Sequence, residues 1–112
     1  MNLKRLRQIL KAYADDKRLR IVNILMRNKL TVNEICFILE AKQPTISKHL
    51  VRLRLLGIVI DERKGNRVFY SSNINSEQGK IIRLILDYFK DLDAFKEDRA
   101  KLSKLKKSRL RK

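Results

Sequence analysis

The 112-residue sequence holds one cysteine, one histidine, one proline, three glycines and no tryptophan. A lone Cys36 cannot close an intramolecular disulfide. One thiol, one imidazole (His49) and no glycine-rich phosphate loop leave no nucleophile–base pair and no cofactor cradle. No catalytic residue, cofactor or enzymatic activity is therefore expected. No apolar run approaches the ~18 residues of a membrane span, and the start, Met1-Asn2-Leu3-Lys4-Arg5, lacks a secretory apolar stretch. The expected location is the cytoplasm, with no membrane partner. The length suits one domain, and 44% apolar content is enough for one modest core.

Acidic residues are scarce as well. Twelve Asp and Glu stand against 28 Lys and Arg, a net charge of +16. A chain this basic is drawn to polyanions, nucleic acid first among them, although a well-solvated surface is the plainer explanation. The charge is uneven: residues 99–112 carry eight cations and no anion, and the other 98 residues hold a net +8. The reading divides the chain into a domain at 1–98 and a basic C-terminal tail at 99–112, helical or disordered.

What is present is helical periodicity interrupted once by β-rich sequence. Leu3, Leu6, Ile9, Leu10 and Tyr13 predict an amphipathic helix over 3–13. Asp15 is placed to cap a second helix bearing Leu19, Ile21, Val22, Ile24 and Leu25. Thr31 and Glu34 fit a capping box, and Leu30 with Ile35 a hydrophobic staple, for a brief third helix ending near Leu39 to Ala41. A fourth runs from about Gln43 to Leu56, with Pro44 tolerated in its first turn and Gly57 as a left-handed stop. Ile58–Arg63 and Arg67–Ser71 read as strands around a Gly65-Asn66 turn. From Ser76 one long helix resumes, its Ile81, Ile85, Tyr88, Leu92 and Phe95 stepping by four and three as in a coiled-coil seam. The expected fold is mainly α with a small β-hairpin, a winged helix-turn-helix of order α-α-α-α-β-β-α.

On the fourth helix Ile46, Leu50 and Leu53 share one side and should face the core. Pro44, Ser47, Lys48, Val51 and Arg52 fall opposite, with Thr45 at the margin and Gln43 at the exposed N-terminus. Short hydrogen-bonding groups near the tip and cations further along are what base edges and phosphates require. An ordinary solvated helix face explains the helix alone. It does not explain the tip that follows, Arg63-Lys64-Gly65-Asn66-Arg67, which suits phosphates or a narrow minor groove. Edge-strand protection is a compatible second role for those cations. The candidate contacts with double-stranded DNA are Lys42, Gln43, Thr45, Ser47, Lys48, Arg52, Arg63, Lys64, Asn66 and Arg67.

From Leu10 to Asn73 the chain resembles the ArsR/SmtB family of winged-helix regulators. Ala14-Asp15-Asp16-Lys17-Arg18-Leu19-Arg20-Ile21 is similar to its opening signature "ADPTRLRI". Gln43-Pro44-Thr45-Ile46-Ser47-Lys48-His49-Leu50 resembles its recognition helix "QPTVSRHL", and Leu53 to Val59 its exit "LREAGLV". The resemblance implies a homodimer that represses a nearby operon and releases DNA on a signal, with Gln43, Thr45, Ser47 and Lys48 on DNA. It also implies dimerisation through the first and last helices. The apolar stripes over 3–13 and 78–96, too extensive for one winged core, point the same way. Leu3, Leu6, Leu10, Ile81, Ile85, Tyr88, Leu92 and Phe95 are the expected interface. One departure is Lys42, where the family often has a capping serine; a phosphate contact, or an ordinary surface lysine, suits it better than a cap.

The family's metal sites do not carry over. Its thiolate motif, Glu-Leu-Cys-Val-Cys, is matched here by Glu34-Ile35-Cys36-Phe37-Ile38, without the second thiolate. Its site in the last helix needs carboxylates and histidines, and His49 lies in the fourth. No metal is expected, Cys36 reads as a buried small hydrophobe, and the inducer is not specified by the sequence. Asp87, Asp91, Asp93, Glu97 and Asp98, read as lying on one helix, lack a calcium loop's rhythm and offset nearby cations. The alternative functions are an architectural, sequence-indifferent DNA-binding protein and a partner-binding module using the basic tail.

Overall fold

A computed structural model describes residues 1–110. Eight elements follow one another: α1 (Leu3–Tyr13), α2 (Asp16–Ile24), α3 (Val32–Leu39), α4 (Gln43–Leu55), β1 (Val59–Lys64), β2 (Arg67–Ser72), α5 (Glu77–Tyr88) and α6 (Asp93–Leu110). The element order is that of a winged helix-turn-helix with one helix more than expected.

Local chemistry sets most boundaries. Asp15 accepts from the Arg18 backbone N–H at 3.0 Å and opens α2. Thr31 and Glu34 form a complete capping box: the Glu34 N–H reaches Thr31 Oγ1 at 3.3 Å, and the Thr31 N–H reaches Glu34 Oε1 at 2.9 Å. Leu30 and Ile35, on either side of that cap, are fully buried. After α3 the chain turns through Glu40 in the left-handed region (φ +52°), closed by the Ala41 N–H on the Cys36 carbonyl at 3.1 Å. Gly57 stops α4 at φ +71°, where a side chain would be strained.

The two strands pair antiparallel from Val59↔Ser72 to Lys64↔Arg67, leaving Gly65-Asn66 as a two-residue loop. Gly65 has φ +63° while Asn66 is not in the left-handed region, as in a type II′ turn. Leu30 and Tyr70 add a bridge, bonding N–H to carbonyl in both directions at 3.0 and 2.7 Å. The hairpin is thereby anchored to the residue just before α3. The core lies among α2, α3 and α4, built from Ile21, Val22, Leu25, Ile35, Ile38, Ile46, Leu50 and Leu53, all nearly without solvent contact. The Ser72 hydroxyl donates to the Val22 carbonyl at 2.8 Å and ties the hairpin's far end to α2.

The last helix departs from expectation. The helical run from Ser76 breaks after Tyr88, and the chain turns through Phe89–Leu92 before α6 begins at Asp93. The expected seam is therefore divided. Ile81, Ile85 and Tyr88 stay exposed on α5, and Leu92 lies half-exposed in the connection. Phe95 is corrected outright: at 3% exposure it belongs to the chain's own core, because α6 folds back across α2 and α3. The buried Asp98 receives Arg20 Nε at 3.1 Å and Nη2 at 2.8 Å, and Leu102 is buried beyond it. Residues 99–110 therefore continue a docked helix, with Arg111 and Lys112 outside the described residues.

The acidic residues from Asp87 to Asp98 are also split between elements. Asp87 of α5 pairs with Arg27 at 3.0 Å, and Asp98 of α6 with Arg20. Among the described residues, no three His, Cys, Asp or Glu side chains gather to hold a metal ion. Among them, too, no helix is long and apolar enough to cross a membrane.

Candidate nucleic-acid interface

Helix α4 presents two chemically distinct sides. Ile46, Leu50 and Leu53 point into the core, while Gln43, Pro44, Thr45, Lys48, Val51 and Arg52 are exposed and Ser47 is half-buried. Lys42 stands at the N-cap position without a side-chain cap. The first-turn N–H groups of α4 are thus left without a capping side chain, and the helix dipole places partial positive charge there. Among the described residues, the side chains of Lys42, Gln43, Thr45, Ser47, Lys48 and Arg52 make no hydrogen bond or ion pair. A row of unengaged donors and acceptors at a helix N-terminus is suited to an external polar partner.

The hairpin tip supplies the second cluster. Arg63, Lys64, Asn66 and Arg67 are all exposed. Arg63 Nε donates to the Gly65 carbonyl at 3.2 Å, which fixes the turn, and the Arg67 guanidinium lies 5.4 Å from the Phe69 ring centroid. Lys64 keeps only a loose 3.7 Å contact with Glu62. Both clusters meet at one cleft, whose walls include Gln43, Asn33, Asn66 and Arg67. The ten residues singled out from the sequence thus occupy the exposed edge of α4 and the neighbouring hairpin tip.

The frame behind this edge uses contacts that local sequence did not signal. Arg5 Nη2 of α1 donates to the Leu56 carbonyl at the end of α4, 2.8 Å away. His49, on the flank of α4, has Nδ1 3.5 Å from Arg18 Nη1. Burial pushes its imidazole below the usual histidine range, outweighing the pull of Asp15. Cys36 is half-buried rather than buried, and partial burial raises its thiol pKa, which opposes thiolate formation.

A model of the bacterial regulatory protein arsR family matches residues 15–61, which run from the cap of α2 through α4 into β1. The transcriptional repressor PagR of Bacillus anthracis is 39% identical over 87 residues, covering 76% of this chain and 85% of that protein. The chain belongs to the ArsR family. The structure of HlyU from Vibrio cholerae N16961 superposes with a TM-score of 0.70 at 32% identity, covering 80% of this chain and 98% of that one. The arsenic resistance transcriptional regulator ArsR1 of Pseudomonas putida is 44% identical over 63 residues, 55% of this chain. Against ArsR1 the chain spans about half of the relative's length, 49%. Among ArsR-family elements, α3 and α4 are the helix-turn-helix and β1–β2 the wing.

Proposed function

We propose that this ArsR-family chain is a homodimeric, sequence-specific DNA-binding regulator that represses transcription where its operator overlaps a promoter. The observation carrying the reading is the unengaged polar tip of α4 beside a cationic wing. Gln43, Thr45 and Ser47 are assigned to base edges in the major groove. Lys42, Lys48 and Arg52 are assigned to the flanking backbone, and Arg63, Lys64, Asn66 and Arg67 to phosphates or the minor groove.

Dimerisation is assigned to α1 and α5. Leu3, Leu6 and Leu10 are exposed on one helix and Ile81, Ile85 and Tyr88 on the other, with Tyr88 at 83%. Faces this apolar require a partner, and a two-fold copy would set two recognition helices about 34 Å apart, one turn of duplex. Metal sensing is assigned no role, because Ile38 stands where the family's second thiolate would be and the lone histidine supports α4. Zinc or arsenite at one equivalent should leave DNA affinity unchanged.

The test is a ratio. Affinity for DNA upstream of the protein's own gene is compared with that for random duplex of equal length at one salt concentration. A specific regulator gives about 10³ or more. Gln43→Ala with Ser47→Ala should lower that ratio by about 1–3 kcal/mol for each base edge no longer read. Near-equal affinities would replace this reading with an architectural one.

A further inference from the structure

Helix α6 is the longest element, and the winged helix-turn-helix reading gives it no task. It runs antiparallel to α3: Lys101 Nζ meets Glu40 Oε2 at 3.1 Å at the end of α3, and Arg109 pairs with Glu34 at its beginning. Leu102 is buried and Leu105 half-buried on the inward side. Leu105 also lines the cleft that holds Gln43 of α4 and Asn66 and Arg67 of the wing. The last two turns of α6 therefore end beside the candidate DNA face.

What these turns expose is positive. Lys104, Lys106 and Lys107 are exposed and have no ion-pair partner among the described residues, and Asp98 is the last acidic residue of the sequence. From this placement we infer that the C-terminal half of α6 is a third DNA-contacting element. It lays Lys104, Lys106 and Lys107 on phosphates beside the half-site engaged by α4 and the wing. The inference rests on the DNA-binding reading above and extends its footprint.

Duplex DNA fits this surface better than a lipid headgroup layer. An interfacial helix must offer an apolar face to the bilayer, and α6 has already turned Phe95, Leu102 and Leu105 into its own protein. The exposed residues of its last turns are cationic, and through Leu105 they border the cleft that holds Asn66 and Arg67 of the wing. Lysines on a docked helix are point charges without the forked geometry that reads guanine, so they add affinity without sequence preference. The ion pairs at Glu40 and Glu34 hold the helix in place before DNA arrives, so its cations need little further ordering.

The experiment uses the full chain carrying Lys104→Gln, Lys106→Gln and Lys107→Gln, with Lys80→Gln, Lys90→Gln and Lys96→Gln as a charge-matched control. Anisotropy titrations use the upstream duplex and a random duplex from 50 to 200 mM salt, after thermal unfolding has confirmed an unchanged midpoint. The α6 variant should lose about tenfold or more in affinity for both duplexes equally, with a salt slope shallower by about one unit per phosphate no longer neutralised. The control should change both quantities much less. If the two triple variants behave alike, or if the α6 variant loses sequence preference instead, the assignment of α6 is overturned while DNA binding stands. If the unmodified chain binds neither duplex, the DNA-binding reading itself fails and this inference with it.

Discussion

Replacing Asp98 with alanine should reveal how firmly α6 belongs to the domain. The carboxylate has no solvent contact, and Arg20, 23% exposed at its side chain, donates to both oxygens at 3.1 and 2.8 Å. Hydrogen bonds to charged groups contribute about 1.5–3 kcal/mol each. Breaking a buried pair from one side costs about 3–5 kcal/mol, because the remaining charge is stranded. Arg20 can regain some water, so the lower end applies, about 3 kcal/mol. The loss is capped by the docking free energy of α6, since the helix can detach without unfolding the rest. Thermal unfolding at fixed protein concentration should show a midpoint roughly 10–20 °C lower. Asp98→Leu combined with Arg20→Met should recover most of the loss, because an apolar pair of similar volume has no stranded charge. A single Asp98→Ala variant within about 0.5 kcal/mol of the parent, a change typical of an unconstrained surface site, would refute the reasoning.

Ile81→Glu with Ile85→Glu should shift sedimentation equilibrium toward monomer at tens of micromolar while leaving the helical circular dichroism of the protomer intact; a dimer that persists would remove α5 from the interface. Gly79→Ala should destabilise by more than about 2 kcal/mol in denaturant unfolding, because a Cβ there would sit 2.0 Å from the Asn73 carbonyl oxygen. Asp15→Ala should cost about 1 kcal/mol, the usual contribution of a helix cap. The Arg18 backbone N–H holds the Asp15 carboxylate below the usual range. The cap's contribution is therefore complete above the unfolded-state pKa of about 3.9 and lost as pH falls through the lower folded-state value. An acid-unfolding profile that Asp15→Ala leaves unchanged would contradict that assignment.

Features that could be read from sequence were those fixed within four or five residues. Asp15, the Thr31–Glu34 box, Gly57 and Gly65 each act on their immediate neighbours, and each lies where its chemistry indicated. The exposed edge of α4 followed from the 3.6-residue period alone. The break between α5 and α6 did not. Apolar residues at Ile81, Ile85, Tyr88, Leu92 and Phe95 keep the same spacing whether the helix continues or doubles back, and no glycine or proline marks the turn. Asp93, acidic in the first turn of α6, was the available local signal of a new helix start. The burial of Phe95 and Asp98 depends on Arg20 and the surface of α2, which no window along the chain contains. The Arg5 bond to the end of α4 is hidden for the same reason, spanning 51 residues.

The Arg20–Asp98 pair joins residues 78 apart, and the Glu34–Arg109 pair joins residues almost as distant. Contacts of such sequence separation bear the largest loop-closure cost and form after the local turns and caps have reduced the chain's freedom. The helix-turn-helix and wing can therefore assemble from a chain that still lacks its last helix, including one still being synthesised. The same order runs in reverse under native conditions. Opening of α6 exposes Phe95, Leu102 and Leu105 together with the patches of α2 and α3 they cover, less apolar surface than opening of α2 through α4. The helix is therefore expected to open as a separate cooperative unit, with hydrogen exchange showing its amides protected by a lower free energy than those of the core.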